Sequence, residues 1–441
     1  MSELKDILIL GNGYSAHLAA IALDPVLPVV SMIAPPCRRV EADTLDGLIG
    51  QHAHSHIFLP RLEHELQRID ATLLPAMAST GYRFVPGSYR LDDDAPARCR
   101  RLFATRWQFD EVIKTLFEQR VKTEHVAGAV AGAETEAGRI SAVTLVHGGR
   151  IEVAPTTLVL DATGTRSPIM TVLAGQDERV ITQPGNVVYI TQFFRRSQMQ
   201  DRTLPDPLIE CPHDFGAIAM MLYPGGEGWF SISLAVDAAH KPLVHKMRDR
   251  ATFIAFCRQS PHVAAWLEGA DAIGTNKIYI NPRNTWNVGV FEIAAAPANY
   301  LAVGDALTTM LPTLGANCSF AATHVRIIRD LLAGKTPRLQ RAFAKAVTGE
   351  QFSFFQQALV GRPPAEGIVP YEASPINRPL KRAKRKLRRL LGQDRPRIIK
   401  QLSNSSSGLT GTKESEFGFR CISRCAIEGD AHRNWVYRIA K

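Results

Sequence analysis

The stretch that decides the fold is KDILILGNGYSAHLAAIALD, residues 5–24. It consists of a short apolar run, a turn containing two glycines and a run of strong helix formers. A second apolar run, Val29 to Ile33, follows a break at two prolines. The order strand, glycine turn, helix, strand predicts a βαβ unit within about 30 residues.

The turn has the pattern Gly11-x-Gly13-x-x-Ala16, with Tyr14 and Ser15 at the start of the helix. Gly11 allows the tight turn, Gly13 lets a pyrophosphate approach the backbone, and Ala16 lets the helix pack closely on the strand. These residues predict a dinucleotide site.

One expected group is missing from that site. The second strand should end in an acidic residue for the adenosine ribose, but it ends at Ile33-Ala34-Pro35-Pro36. Glu41 or the backbone is the alternative ribose contact.

Two later segments repeat the pattern of a buried strand followed by a polar turn. TLVL (157–160) leads into Asp161-Ala162-Thr163-Gly164, and YLAV (300–303) leads into Gly304-Asp305-Ala306 and then Pro312-x-x-Gly315. Between them, VVYITQFFRR, AIAMMLYP, GWFSISLAV and KIYINP are strand-like, with one helical insert over 249–268. The middle of the chain therefore predicts a second domain built on a sheet.

At these motifs the sequence resembles the superfamily of FAD-dependent monooxygenases with the para-hydroxybenzoate hydroxylase fold, which also contains flavin halogenases and geranylgeranyl reductases. The similarity runs in pieces from about residue 5 to 335. It also includes Gly50-x-His52-x-His54, Thr105-Arg106-Trp107 and the segment 189–196, which favour the polyether epoxidase-like branch.

The resemblance implies an α/β fold with a Rossmann-type FAD-binding domain of the glutathione-reductase-like kind (GR2-like), interleaved with a mainly antiparallel-sheet substrate domain. The predicted boundaries are 1–180 and 296–335 for the FAD-binding domain and 181–295 for the substrate domain. A helical, basic C-terminal region (336–400) and a flexible or uncertain tail (401–441) follow.

The resemblance also implies which residues hold the FAD. Asp305 would accept a hydrogen bond from a ribityl hydroxyl, and the backbone amides near Gly315, at a helix start, would face the flavin pyrimidine edge. Arg106 would reach the cofactor. The full predicted set is Gly11, Gly13, Tyr14, Ser15, Ala16, Arg106, Val130, Asp161, Gly164, Gly304, Asp305, Pro312, Gly315, Ala316 and Asn317.

The chain departs from the family pattern at two of these turns. Leu311 stands where an asparagine is usual, which removes a polar group near the flavin. Asn317 stands where a glycine is usual, and asparagine can adopt a positive φ.

The activity implied is insertion of one oxygen atom from O2 into a small, secondary-metabolite-like substrate by a C4a-hydroperoxyflavin. The electrons would come from NADPH or NADH visiting transiently, since no second GxGxxG exists, or from reduced flavin supplied by a partner reductase. Segments 189–194 and 217–223 are the candidate substrate lining. No general acid or base can be named from the sequence.

Three alternatives remain open: a flavin-dependent reductase or dehydrogenase of a carbon–carbon double bond, a flavin-dependent halogenase, and a non-catalytic flavin-binding protein. Trp229-Phe230-Ser231-Ile232 resembles the halogenase tryptophan motif but lacks its second Trp and its Pro, and no catalytic lysine is evident. Halogenation therefore ranks below oxygenation at this level.

His52, His54 and His56 alternate as on a strand and could project to one side. No acidic or cysteine partner is close in sequence, and the resemblance implies a His-x-His here without metal, so we expect a cofactor-proximal loop and no metal. The seven scattered cysteines indicate neither a disulfide framework nor a zinc site.

The net charge of +10 is concentrated in one segment. Residues 378–400 contain eleven Lys or Arg and one acid, so the rest of the chain is neutral. This stretch allows weak contact with a membrane surface or an acidic partner, although a solvated helix is the simpler interpretation. It has no interleaved aromatic residue, so nucleic acid is not expected as a partner. Without a signal peptide or an apolar span, the sequence predicts a cytoplasmic protein.

Overall fold

The computed structural model describes residues 4–35, 52, 54, 56–80, 82, 85–87, 101–175, 180–185, 187–196, 218–226, 228–280, 283–292, 296–312, 315–359, 419–421 and 437–439. The strands are β1 (Asp6–Leu10), β2 (Val29–Ala34), β3 (Ile57–Phe58), β4 (Val85–Gly87), β5 (Arg101–Phe103), β6 (Glu124–Ala127), β7 (Val130–Glu136), β8 (Arg139–Leu145), β9 (Arg150–Glu152), β10 (Thr157–Asp161), β11 (Ile181–Pro184), β12 (Val187–Arg196), β13 (Ile218–Gly226), β14 (Trp229–Asp237), β15 (Ala270–Ile280), β16 (Arg283–Trp286), β17 (Tyr300–Ala302), β18 (Thr308–Thr309), β19 (Phe419–Cys421) and β20 (Tyr437–Ile439). The helices are α1 (Tyr14–Leu23), α2 (Arg61–Ile69), α3 (Leu73–Ser79), α4 (Arg106–Arg120), α5 (Pro168–Ala174), α6 (Lys241–Lys246), α7 (Arg250–Cys257), α8 (Pro261–Leu267), α9 (Asn317–Ala333) and α10 (Leu339–Leu359).

A parallel sheet forms the centre of the first domain, with strand order β17-β10-β1-β2-β6. Strands β17, β10 and β1 are almost fully buried, because helices cover the sheet and a parallel sheet needs both faces protected. Helix α1 packs on α4 and α9, with Ala16, Leu18 and Ala20 inaccessible to solvent. The predicted βαβ unit and Rossmann-type α/β class are therefore confirmed.

The second sheet is antiparallel, with order β13-β14-β12-β15. Its outer face carries apolar side chains such as Ile190, Phe230 and Leu234, which α6 to α8 cover with Phe253 and Trp266. The predicted substrate sheet is thus present. The predicted single helical insert over 249–268 is wrong, because Ser260 and Pro261 divide it into α7 and α8, and α6 precedes them.

Smaller sheets connect these two bodies. β11, β16 and β18 form one sheet that joins strands from both predicted domains. β7 to β9 form an antiparallel ribbon, whereas β6, just before it, extends the parallel sheet.

Helices α2 and α3 are separate, because the Asp70 side chain accepts the Thr72 amide and turns the chain between them. The basic stretch 378–400 and Glu41 lie outside the described residues, while the region after 336 begins with the predicted helical structure, α10. Among the described helices, none is long and apolar enough to cross a bilayer.

Candidate cofactor and substrate site

The three glycine-containing motifs meet at the carboxyl edge of the parallel sheet. Gly11 follows β1 with φ +120°, and a Cβ atom there would lie 2.5 Å from the Ala162 carbonyl oxygen after β10. Gly304 follows β17 with φ +59°, and a Cβ atom there would overlap the Ser15 hydroxyl of α1. Segments separated by about 300 residues in sequence are therefore in van der Waals contact, and both glycines are required by space as well as by conformation.

The start of α1 is open toward solvent. A Cβ atom on Gly13 would meet nothing within 4 Å, and no side chain caps the first turn of the helix. Asn12 points back instead, and its Oδ1 lies 2.7 Å from Nε2 of the buried His17. Burial lowers the pKa of His17 to about 4, so a neutral ring donates to Asn12 and fixes the glycine turn.

Asp305 lies in the turn after β17, next to this helix start. The amide of Gly304 donates to Nδ1 of His324 at 3.2 Å, and His324 Nε2 lies 2.8 Å from Oε1 of Gln351. These two contacts require a neutral imidazole with its proton on Nε2, in agreement with burial, which lowers the pKa of His324 to about 3. His324 and Gln351 thus hold the turn that presents Asp305.

The Asp305 carboxylate is the notable polar group of this turn. Among the described residues no hydrogen-bond donor reaches it, and the Asp305 peptide oxygen, not the carboxylate, accepts from Thr309. Burial raises the pKa of this carboxyl to about 6, although the positive charge of Arg106 opposes the shift. The residue nevertheless keeps partial exposure, so a donor from outside the chain can reach it.

Arg106 begins α4 and is buried beside the same turn. Its Nε donates to Asp110 Oδ1 at 2.5 Å, its Nη1 lies 3.0 Å from Cys318 Sγ, and its guanidinium carbon lies 5.4 Å from the ring centre of Tyr14. Asp110 also pairs with His52 at 2.5 Å, and these two partners lower the pKa of Asp110. The cluster joins α1, α4 and α9 and places a permanent positive charge near Asp305.

The glycine of the predicted Pro312-x-x-Gly315 motif packs against β3. Gly315 has φ +64°, its amide donates to the Pro312 carbonyl at 3.0 Å, and a Cβ atom there would lie 2.6 Å from the Ile57 carbonyl oxygen. Asn317 exchanges two hydrogen bonds of 3.1 Å with the backbone of Met310. Asn317 does not have a positive φ, so the expectation that asparagine replaces glycine here by adopting one is wrong. Its side chain instead ties the start of α9 to the Met310 backbone.

Three other predicted cofactor residues are Asp161, Gly164 and Val130. Asp161 is inaccessible to solvent, and its oxygens accept from Thr163, Ser167 and Tyr300, so its carboxylate supports the strand end and has no free site for a ligand. Gly164 (φ +85°) has open space where its Cβ would be. Val130 lies partly buried at the start of β7, just beyond the end of the sheet.

The inner face of the antiparallel sheet looks toward the first domain. We use this name for the face that carries Tyr189, Thr191, Ala219, Met221, Tyr223, Ser233 and Ala235. Ile57 and Phe103 of the first domain pack against it, with the rings of Phe103 and Tyr223 5.9 Å apart. Unlike the outer face, this surface mixes aromatic rings with hydroxyl groups. Within the described residues, both predicted substrate-lining segments contribute to it.

The three alternating histidines have three different partners. His52 pairs with Asp110, His54 Nδ1 lies 2.8 Å from Thr191 Oγ1, and His56 Nδ1 lies 2.9 Å from the His54 carbonyl oxygen. Among the described residues no group of three or more potential ligands could hold a metal ion.

Sequence analysis missed several residues of the site, among them His17, Asp110, Tyr279, Cys318 and His324. Only Asp110 carried a usable signal, since it stands four residues after Arg106 on a predicted helix and such pairs face each other. The others are brought to the site by contacts between distant segments.

Comparison with known proteins identifies the fold. No protein-family model matches the chain, and a search of curated proteins finds no match. Solved structures do match: the myxobacterial chondrochloren halogenase CndH, an FAD-dependent halogenase, shares 16% identity over 89% of this chain and 90% of its own, with a TM-score of 0.58. PqsL, a probable FAD-dependent monooxygenase from Pseudomonas aeruginosa, shares 15% identity over 81% and 94%, with a TM-score of 0.56. A flavoprotein/dehydrogenase from Cytophaga hutchinsonii shares 14% identity over 81% and 85%, with a TM-score of 0.58.

The chain therefore has the fold of the FAD-dependent monooxygenases and halogenases. The resemblance seen in the sequence motifs is confirmed at the level of the fold. These neighbours include both reaction types, so the comparison does not support ranking halogenation below oxygenation.

Proposed function

We propose that this protein is an FAD-dependent monooxygenase acting on a small organic molecule. The proposal is based on the three glycine-containing motifs, which meet at one edge of the parallel sheet. Gly11 contacts Ala162, and Gly304 contacts Ser15. This edge is where nucleotide cofactors bind in open α/β sheets, outside the carboxyl ends of the strands.

The residues present fit FAD. The uncapped start of α1 and the open space above Gly13 suit a pyrophosphate, because backbone amides and the helix dipole attract anions there. The partner-free Asp305 carboxylate suits a ribityl hydroxyl, which would supply the donor that the described residues do not. Arg106, held by Asp110, would add positive charge near Asp305.

Bound FAD would supply the redox chemistry with oxygen. The chain's own contribution is position and environment. The turn 312–317 and the start of α9 would present backbone amides to the flavin ring, while the inner face would hold the substrate opposite. NADPH, NADH or a reductase partner remains the proposed electron source.

Halogenation is the second candidate, and one structural feature favours it beside the neighbour CndH. In β15, Tyr279 packs against the inner face, and strand alternation puts Lys277 on the same side, opposite Thr191. Sequence motifs gave no indication of a lysine here. An amine on the substrate side of the site is a group that a halogenase could use.

The experiment begins with FAD binding, followed by reaction. Purified protein is titrated with FAD by fluorescence quenching, then reduced anaerobically with dithionite or NADPH and exposed to oxygen. A monooxygenase should transfer label from 18O2 to a product in a panel of small aromatic compounds, without dependence on halide. A halogenase should need chloride or bromide and give a halogenated product, and a reductase should saturate a double bond without oxygen. Failure of the wild-type chain to bind FAD would falsify the proposal.

A further inference from the structure

One short segment of the chain contacts three separate parts of the molecule. We call His52, His54, His56 and Ile57 the histidine segment, which leads into β3 at Ile57. His52 contacts α4, His54 contacts the antiparallel sheet, and the Ile57 carbonyl lies against the turn before α9. The histidine segment therefore connects the two domains beside the candidate cofactor site.

His54 is the anchor on the antiparallel sheet. Its Nδ1 lies 2.8 Å from Thr191 Oγ1 of β12, and the Thr191 hydroxyl in turn pairs with that of Ser233 in β14. From β15, the ring centre of Tyr279 lies 5.2 Å from that of His54, and the Ile278 backbone is a further polar contact of the imidazole. Burial lowers the pKa of His54 to about 3, so a neutral ring is held between β12 and β15.

His52 is the anchor on the cofactor side. Its Nε2 lies 2.5 Å from Oδ2 of Asp110, and the other oxygen, Oδ1, accepts from Nε of Arg106 at 2.5 Å. Burial alone would raise the pKa of Asp110, but Arg106 and His52 outweigh it and lower the pKa, so the carboxylate stays charged. Asp110 thus uses one oxygen for each neighbour, and the position of His52 influences that of the Arg106 guanidinium.

The other end of the histidine segment meets the turn before α9. His56 Nδ1 donates to the His54 carbonyl at 2.9 Å, which ties the two histidines together. A Cβ atom on Gly315 would lie 2.6 Å from the Ile57 carbonyl oxygen, so the segment and this turn are in direct contact. A displaced segment would therefore also disturb the backbone amides that are proposed to face the flavin.

The two anchors are too close in the chain to move independently. His52 and His54 are two residues apart, so their Cα atoms are separated by at most about 7 Å. A stretch of this length cannot absorb a displacement between α4 and the antiparallel sheet, as a long loop could. A shift at Thr191 is therefore passed through the segment to Asp110 and then to Arg106.

We propose that His52 and His54 are positioning residues, which fix the charge of Arg106 at the flavin by tying it to the antiparallel sheet. This inference rests on the proposed function, because it takes Arg106 to lie beside bound FAD. Reduced FAD carries more negative charge than oxidised FAD, so a fixed positive charge stabilises the reduced form selectively. Loss of either anchor should weaken the binding of reduced FAD more than that of oxidised FAD.

The measured quantity is the ratio of the dissociation constants for oxidised and reduced FAD. It is obtained from the midpoint potential of the bound flavin by anaerobic titration of the full chain against a reference dye, and a tenfold change in the ratio is about 30 mV for two electrons. His54→Leu should shift the ratio about tenfold against reduced FAD, and Thr191→Val, which removes one hydroxyl of the same anchor, about threefold. A general loss of stability would weaken both forms equally.

Conservative variants identify the nitrogen that each anchor uses. The side-chain amide of asparagine takes the place of Nδ1 in histidine, and that of glutamine takes the place of Nε2. His54 binds through Nδ1 and His52 through Nε2, so His54→Asn and His52→Gln should keep the ratio within about twofold of wild type. His54→Gln and His52→Asn should shift it as leucine does. This comparison between polar variants decides the question even where His54→Leu does not fold.

Asn276→Ala is the matched control on the same sheet. Asn276 lies in β15, and its side-chain amide donates to the carbonyls of Met247 and Arg248 at 3.1 and 3.2 Å, on the outer face. The variant should lower the melting temperature and leave the ratio unchanged. A shift as large as that of His54→Leu would show that any loosening of the sheet reaches the flavin, and would overturn the role of the histidine segment.

Failure of this inference can be told from failure of the proposed function. If the wild-type chain does not bind FAD, the proposed function fails, and the coupling of the two anchors is measured in the flavin-free chain by urea denaturation. Combining Thr191→Val with His52→Leu should raise the unfolding equilibrium constant by about threefold less than the product of the single effects, because either change already releases the segment. Additive effects would overturn the inference. With FAD bound, it is also overturned if His54→Gln preserves the ratio as well as His54→Asn does.

Discussion

The backbone amide of Gly304 donates to Nδ1 of His324, and this contact between a strand end and the middle of α9 fixes the turn that presents Asp305. His324 is inaccessible to solvent, and its other nitrogen is bound to Gln351. The residue therefore acts on the candidate site only through the backbone that it holds.

Replacing His324 with leucine should loosen this turn. The Gly304 amide and the Gln351 Oε1 atom would both be left buried without a partner, while Gln351 Nε2 keeps its bond to the Phe320 carbonyl. We expect a cost of about 2 to 4 kcal/mol in the free energy of unfolding. Urea denaturation measures that loss, and FAD titration should show affinity reduced by about tenfold or more. An unchanged FAD affinity would separate the turn from the cofactor.

The contribution of His324 to the free energy of unfolding should depend on pH. Its pKa is about 3 in the folded chain and near 6.5 when unfolded, so acid protonates the unfolded state first. The stability contributed by the neutral ring is complete above pH 6.5 and is lost as pH falls toward 3. The difference in unfolding free energy between wild type and His324→Leu should therefore shrink steadily from pH 7 to pH 4, and a constant difference would contradict the neutral-ring assignment.

The contact between Gly304 and Ser15 predicts a specific loss of cofactor. Gly304→Ala introduces a Cβ atom that overlaps the Ser15 hydroxyl at a positive φ, so the Ser15 side chain must rotate away from the helix start or the strained turn must move. FAD affinity should fall at least tenfold. Gly138→Ala is the matched control: its φ is +71°, but open space surrounds its Cβ position, so it should cost about 1 kcal/mol of stability and leave FAD binding unchanged.

Asp305 predicts opposite effects on stability and on binding. Its pKa is raised from 3.8 to about 6, so the flavin-free protein is penalised as pH rises from about 4 through 6. Asp305→Asn should be more stable than wild type at pH 8 by about 1 to 3 kcal/mol, and the gain should vanish below pH 4. The same variant should bind FAD more weakly, because an amide is a poorer acceptor for a hydroxyl than a carboxylate is. Thermal unfolding of the flavin-free proteins across this pH range and FAD titration at pH 8 measure the two effects.

The ion pair of Arg106 and Asp110 should behave as one unit. Asp110→Asn leaves the buried guanidinium without its counter-charge and should destabilise the chain by about 3 kcal/mol or more. Adding Arg106→Met should recover much of that loss, since a charge no longer has to be buried. A double-mutant cycle by urea denaturation measures the coupling, and additive losses would contradict it. FAD binding should remain weak in the double variant, because the positive charge near Asp305 is gone.

Local sequence determined the parallel sheet and its motifs. Buried parallel strands are continuous apolar runs, and Gly11, Gly164, Gly304 and Gly315 all adopt the positive φ that a glycine permits. Apolar strands and glycine turns depend on neighbouring residues, so both can be predicted from KDILILGNGYSA and from YLAVGDA. Helix ends were harder to predict. The breaks at Asp70 and Ser260 each depend on one side chain that accepts a hydrogen bond from a backbone amide.

Tertiary structure alone decided what surrounds the motifs. The sequence puts Asp305 in a turn, but only packing against α1 and α9 buries its carboxyl and holds its backbone through His324. His54 and Thr191 are 137 residues apart, and no periodicity in either segment predicts that they touch. Propensity and glycine geometry act within a few residues and can be inferred from sequence, whereas burial, pKa shifts and polar contacts depend on which distant segments the fold brings together.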